Sequence, residues 1–446
     1  MTFAEKMDQY LDRYCSLYHF SGMFRVTLKD HIIYQRNVGY ANREQEIPFS
    51  KDSVFTLYSL SKPFCAMGLL ALADKGLVDI SDHPGEYLPE AKEMDPRLTL
   101  QHLLQHTSGL RDFNQVKEIQ ADYVAALAPD MREAVARMAS QPLNFAPGTD
   151  TRYSNINFTI LALIIENVTG MTYADYMKQA VFIPLGMKNA QIDRLGLSVE
   201  NRVCGYDING SDPILTQRVN PGFYLGAGDI IATMEDVYCL NLAIKHKKLL
   251  RPETWERILT PSEINVFGLG CQVWDWHGKK RIQHNGGSSG FRTMHVQLPE
   301  EDLDIILLSN FGFGDARWSL VNAAYTAFYG SAEHQKESES MDKGFVQETY
   351  RILPKSFLPE KKPAVLLSKE LESKLLGRYA FPGEAQPTTF TKEGDRYCIT
   401  VQGRQKLFCY PVSDTVLANC YLDEAYRISY DANADPILNG RLKIHE

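Results

Sequence analysis

Residues 55–76 read FTLYSLSKPFCAMGLLALADKG, and the fold turns on how this stretch is parsed. From Lys62 onward Phe64, Met67 and Ala71 recur at helical spacing, Leu69, Leu70 and Leu72 fill the other faces, and Gly76 follows as a helix-terminating glycine. A helix apolar almost all round belongs in a core. At its start stands Ser59-Leu-Ser-Lys62, an S-x-x-K pattern that puts Lys62 beside Ser59 on one helical face. A serine hydroxyl is a weak nucleophile near neutral pH and needs an acceptor within reach; a lysine kept from water, its proton affinity lowered, can serve. The helix N-terminus adds unpaired N–H groups for a developing oxyanion, and Pro63 suits a first turn whose N–H groups lack intrahelical partners. The same pattern also fits a serine that merely caps a helix, and Ser340-Met-Asp-Lys343 repeats it within a polar stretch.

Upstream, Phe24 to Val38 (FRVTLKDHIIYQRNV) alternates apolar and polar residues about Lys29-Asp30, which predicts an antiparallel hairpin. Downstream, the segments around Leu98–Leu104, Asp122–Ala139, Asn157–Asn167 and Tyr173–Gln179 carry helical patterns joined by Gly- and Pro-marked loops. Strand character returns at Leu269–Trp276, Thr293–Leu298 and Asp304–Leu308, and Arg317–Tyr329 reads as a closing helix. Strands at both ends of a helical middle predict an α+β fold, with one antiparallel sheet flanked by helices and a mostly helical subdomain. The polar run Ala332–Lys343 and the proline-bearing Pro354–Pro363 mark a boundary. The expected organisation is a main domain over 1–335, a linker over 336–368 and a small all-β, barrel-like domain over 369–446.

Composition narrows the function classes. A chain of 446 residues, 44% hydrophobic and 23% charged, can bury a large core plus a satellite. The net charge of -8 repels a phosphate backbone, so nucleic acid is excluded as a partner. Met1–Tyr14 has apolar residues at helical spacing interrupted by charges, an amphipathic helix and not a signal peptide, and the initiating Met1 argues against trimming. No apolar run approaches the roughly 20 residues of a membrane span. Eight scattered cysteines without a C-x-x-C pair are expected as reduced thiols in a cytoplasmic protein. No cofactor is expected.

Two further motifs bear on Ser59. After the Pro147-Gly148 turn, Tyr153-Ser-Asn155 forms a Y-x-N triplet. A phenol there could hydrogen-bond Ser59 and relay a proton, with Lys62 lowering its pKa, while Asn155 donates to a substrate carbonyl. A loop tyrosine with a capping asparagine accounts for the triplet equally, and Tyr40-Ala-Asn42 matches it at a strand end. Third comes Gln283-His284-Asn285-Gly286-Gly287, glycine-rich between two strand-like runs. An edge backbone there offers a second oxyanion donor and a grip on substrate, with His284 lining the cleft as donor or partial charge; a purely structural hairpin fits too. His102 and His106 are spaced like a zinc pair, but Leu103 stands where a metalloprotease has its glutamate, so no metal site is expected and their role reads as structural.

In the order S-x-x-K, Y-x-N, H-x-G the chain resembles the serine β-lactamase and penicillin-binding protein superfamily over residues 18–330. The branch is that of class C β-lactamases, D-stereospecific peptidases and related esterases. The phrases His102–Leu110, Gly226–Thr233 and Leu308-Ser-Asn310 strengthen the likeness. The resemblance implies Ser59 as nucleophile, Lys62 as its activator and Tyr153 as acid/base. It implies an oxyanion hole from the Ser59 and Gly287 amides, and substrate contacts from Asn155, His284, Asn285 and Gly286. One departure matters: His284-Asn-Gly286 replaces the K-T-G of the β-lactamases, which removes a charge that would hold a substrate carboxylate. The implied activity is acyl-enzyme hydrolysis of a small ester, amide or peptide, of the carboxylesterase or D-amino-acid peptidase type, with weak β-lactamase activity. An acyltransferase and a catalytically silent penicillin- or peptide-binding protein are the alternatives. The C-terminal segment resembles lipocalin-like domains attached to some of these enzymes.

Overall fold

The alternation about Lys29-Asp30 is realised as strands Gly22–Leu28 (β1) and His31–Val38 (β2), with both turn residues at positive φ (50° and 63°). In the computed structural model, residues 1–17, 20–116, 130–209, 212–276, 278–312, 316–330, 367–380, 388–393, 396–401, 405–419, 425–431, 434–438 and 441–444 are described. Four later strands, Gln272–Trp276 (β3), Lys279–Ser288 (β4), Phe291–Leu298 (β5) and Leu303–Ser309 (β6), complete an antiparallel sheet of order β3-β4-β5-β6-β1-β2. β6 (LDIILLS) is buried throughout, as an interior strand covered on both faces must be, whereas β2 at the edge alternates exposed and covered residues. The expected helices appear at Lys62–Asp74, Leu100–Leu104, Ile156–Thr169, Tyr173–Met177 and Ala316–Tyr329. Of the helix expected from Asp122, Met131–Ala139 is described and 117–129 lies outside the described residues.

Backbone contacts divide the chain into two compact units, Ser21–Gly205 with Thr216–Gly312, and Met1–Phe20 with Tyr206–Leu215 and Phe313–Glu446. In the first, every residue from Lys62 to Leu72 is buried, and the helix packs against Ile156–Thr169, itself buried from Ile156 to Ile165. These two helices form the centre of a continuous apolar core that reaches Ile282, Ile306, Leu308 and Met23 of the sheet. In the second unit Phe3–Leu17 packs against Ala316–Tyr329, and eight strands between Gly377 and Ile444 close into a barrel, so the predicted all-β segment is a closed one. The linker expected at 336–368 lies outside the described residues except for Leu367 and Ser368, as does Ser340–Lys343. Among the described residues no single helix is long and apolar enough to cross a membrane, and no two cysteines are joined.

One sequence expectation is corrected. Ser59 does not begin the helix: it lies in a 3₁₀ turn, Tyr58–Ser61, and the helix starts at Lys62 with Pro63 in its first turn. The glycine-rich 283–288 segment, read as an edge backbone or a structural hairpin, is the second half of β4, and the reversal comes at Ser289-Gly290 (φ 39° and 83°). The register runs on through the glycines, pairing Gly286 with Thr293 and Gly287 with Arg292.

These two elements press on each other. A Cβ on Gly286 would stand 2.1 Å from the Leu57 carbonyl oxygen and 2.9 Å from the Leu60 nitrogen, so only glycine lets β4 lie against the turn. Thr293 on β5 donates to the same Leu57 carbonyl at 2.7 Å, and Leu57 N–H donates to the Ile230 carbonyl at 2.9 Å. Gly286→Ala is therefore expected to destabilise the chain by about 1–3 kcal/mol through overpacking, read as a lower urea midpoint. Gly287→Ala, whose Cβ would meet the Arg292 side chain at 3.1 Å and the Phe291 carbonyl oxygen no closer than 3.2 Å, is expected to lose less.

Candidate active site

The 3₁₀ turn presents Ser59 by bending the backbone sharply just before it. Tyr58 sits at φ 48°, a conformation that costs a bulky residue of order 1–3 kcal/mol. Packing holds it there: the Tyr58 ring lies edge-on to Tyr224 at 5.5 Å and tilted against Phe291 at 6.0 Å. The Ser61 hydroxyl accepts from Ile230 N–H at 3.1 Å, pinning the far end of the turn. Ser59 is thus not a helix cap. Its Oγ accepts from the Tyr153 hydroxyl at 2.7 Å and from Lys62 Nζ at 3.2 Å.

Lys62 is wholly buried, and its Nζ also donates to Asn155 Oδ1 at 2.8 Å and to the Ala227 carbonyl at 2.7 Å. Burial lowers its pKa to about 7, against the opposing pull of Asp112 and Asp229. Two of its three partners can only accept. A neutral amine therefore keeps two N–H groups on Asn155 and Ala227 and turns its lone pair to Ser59 O–H. The Ala227 carbonyl reaches this point because Gly226 adopts φ 69° where a Cβ would meet the Phe158 carbonyl at 2.5 Å, which gives the Gly226–Thr233 phrase a physical reason.

Tyr153 stacks on His106 with ring centroids 4.4 Å apart, and Lys62 Nζ stands 4.8 Å from the tyrosine ring. The expected depression of the phenol is not seen: Tyr153 is 38% exposed as a residue, but desolvation around its hydroxyl raises its pKa, and the Ser59 hydrogen bond only tempers the rise. Tyr153 remains a neutral donor. His106, read from sequence as structural, grips the residues on either side of Tyr153. Its carbonyl accepts from Arg152 N–H at 3.0 Å and its Nδ1 from Ser154 N–H at 3.2 Å. Burial holds its imidazole well below the usual histidine range, so it is neutral. His102 is used separately, capping its helix through Thr99.

The structure brings Ser59, Lys62, Tyr153 and Asn155 into direct contact, and sets β4 alongside the Ser59 turn. β3 pairs only with Lys279–Gln283, so His284–Ser288 runs beyond its partner on that side. His284 is 1% exposed, and burial pushes its pKa to about 3. Its Nδ1 lies 2.8 Å from the Asn285 carbonyl, which can only accept, so the ring's one N–H is spent there and Nε2 is left as a buried acceptor. The donor expected of His284 is accordingly absent from the cleft. Tyr40-Ala-Asn42 lies in a separate two-stranded hairpin.

Sequence reasoning missed Asp112. Its Oδ1 accepts from Asn155 N–H and its Oδ2 from Asn155 Nδ2, both at 3.0 Å. The available signal was its position, two residues after the His102–Leu110 phrase.

The beta-lactamase family model matches residues 3–325. Penicillin-binding protein 4* of Bacillus subtilis is 26% identical over 421 residues, covering 89% of this chain and 87% of that protein. Among solved structures, D-amino acid amidase from Ochrobactrum anthropi superposes with a TM-score of 0.60 at 21% identity, covering 75% of this chain and 99% of the amidase. EstCE1, described as a hydrolase with promiscuous acyltransferase activity, superposes with a TM-score of 0.63 at 20% identity, covering 74% of this chain and 98% of its own. With its antiparallel sheet, helical middle and Ser59–Lys62–Tyr153 cluster, the chain belongs to the beta-lactamase family of serine hydrolases.

Proposed function

We propose that Ser59 is acylated by a small ester or amide, D-amino-acid amides and peptides among them, and that water then releases the acyl group. The observation that supports this is the convergence of Lys62 Nζ and the Tyr153 hydroxyl on Ser59 Oγ at 3.2 and 2.7 Å. Neutral Lys62 takes the hydroxyl proton as Oγ attacks the carbonyl carbon. Tyr153, which already donates to Oγ, hands its own proton to the departing alcohol or amine and is reprotonated from Lys62. In deacylation the same groups run in reverse on water. The oxyanion would lie between the backbone N–H groups of Ser59 and Gly287, a pairing favoured by the close seat of β4 on the turn. One Asn155 amide N–H goes to Asp112, and the second is available to a substrate carbonyl. Asn285 and Gly286 would form the adjoining wall, with His284 beneath it.

The neutral His284 weighs against efficient capture of a penicillin carboxylate and favours uncharged or cationic acyl donors. EstCE1's described acyltransferase activity makes transfer to an alcohol or amine the second outcome to test, by product analysis with a competing nucleophile.

A fluorophosphonate is expected to label the protein at Ser59, as read by peptide mass spectrometry. Ser59→Ala should abolish labelling, and labelling that persists would overturn the assignment. Lys62→Ala should slow it by ~10²–10⁴-fold, the usual contribution of a positioned base.

The pH profile follows from the same groups. The base must be neutral, so the labelling rate should rise as pH climbs through about 7 and then level off. Asp229, whose buried carboxyl is also pushed up to about 7, shares that limb, so the apparent value belongs to the pair. Tyr153 stays protonated far into the alkaline range, and His106 and His284 stay neutral, so no falling limb is expected between pH 8 and 9.5.

A further inference from the structure

Asp112 receives no role from the motifs, yet it touches the group that touches Lys62. It precedes the short 3₁₀ turn Phe113–Gln115 and accepts from Phe113 N–H at 2.9 Å as well as from Asn155 N–H and Asn155 Nδ2. These donors on one carboxylate fix it firmly, and Gln115 Oε1 in turn accepts from the Asp112 N–H at 2.9 Å.

We infer that Asp112 is a positioning residue: it locks the Asn155 side-chain amide with its carbonyl oxygen toward Lys62, and so directs the lysine lone pair at Ser59. The inference rests on the Ser59–Lys62 reading above. A carboxylate accepts and never donates, so Asn155 must present its NH₂ to Asp112 and its oxygen to Lys62. Were the amide turned over, NH₂ would face the lysine. A neutral lysine would then spend its lone pair on that NH₂, and Ser59 would lose its proton acceptor; a protonated lysine would lose one of its three acceptors. An asparagine at 112 can offer either end of its amide and removes the discrimination. It also removes a negative charge that helps keep the proton on Lys62.

The other groups facing Lys62 are unchanged by that substitution: Cys65 on its own helix, Asp229, the Tyr153 phenol, and the neutral His106 and His284. The test is the second-order rate of Ser59 labelling by a fluorophosphonate between pH 5 and 9.5, in the full chain, with thermal unfolding measured in parallel. Asp112→Asn is expected to label at least ~10-fold more slowly at its optimum, since small misplacements of a reacting group already cost up to ~100-fold. Its rising limb should move to lower pH, while Asp112→Glu, which keeps an acceptor-only charge, should return the limb toward the native position. A merely structural role would lower the unfolding temperature and leave the limb in place.

Labelling of Asp112→Asn at the native rate with an unmoved limb overturns the inference while Ser59 stands as nucleophile. Failure of the native protein to label at Ser59 overturns both. Should Asp112→Asn not fold, the exchanged pair Asp112→Asn with Asn155→Asp sets a carboxylate against Lys62, which should carry the limb to higher pH; an unmoved limb there overturns the inference equally.

Discussion

The burial of one amine governs this site. Taking an ammonium out of water costs several kcal/mol even after relaxation, and Lys62 is covered completely. The cost is offset only if its N–H groups meet acceptors, and the three they meet come from three places: Ser59 in the preceding turn, Asn155 ahead of the Ile156–Thr169 helix, and Ala227 in the loop before Ile230. No local piece of chain could supply all three. The packing of the two central helices and the seat of the Gly226 loop on Phe158 are therefore conditions for a lysine poised near pH 7.

Close approach elsewhere serves the same end. Tyr58 is held at positive φ by aromatic neighbours, and Leu57 is clamped from Ile230 on one side and Thr293 on the other. Gly286 lets β4 lie against that clamp with no room for a methyl group. The strain at Tyr58 is stored where the structure around it is most constrained, which keeps the Ser59 hydroxyl in one place and spares reorganisation at the moment of attack.

Much of this was legible in residues 55–76, because a helix apolar on every face can only be central, and in the β1–β2 alternation, because period-2 patterning fixes a half-covered hairpin. Ser59, Lys62, Tyr153 and Asn155 could be picked out by type and order alone. The sequence was silent where the decisive contacts are backbone or long-range. That Ser59 lies in a 3₁₀ turn depends on Ile230 and Thr293, far along the chain. The Ala227 carbonyl has no side-chain signature. The glycines of β4 fit an edge backbone or a structural hairpin equally by residue type, and only the Leu57 carbonyl facing Gly286 explains them. Asp112 carries no signal of its own, since a lone aspartate beside a loop is commonplace, and the rise in the Tyr153 pKa comes from desolvation at its hydroxyl, which residue type does not reveal.

The replacement of a lysine by His284 changes the electrostatics more than its position suggests. With both His284 and His106 held neutral by burial, Lys62 is, among the described residues, the one group hydrogen-bonded to Ser59 that can carry positive charge, and it is without that charge in its reactive form. Asp112 and Asp229 stand behind it. When the base is ready to act, the field at Ser59 from these groups is neutral to negative. An anionic acyl donor meets no fixed countercharge among them, whereas a donor bearing an ammonium group meets a favourable potential. The same charge pattern that frees the lysine lone pair thus leaves these groups without a countercharge for a carboxylate, so that base activation and the local field follow from one arrangement of buried groups.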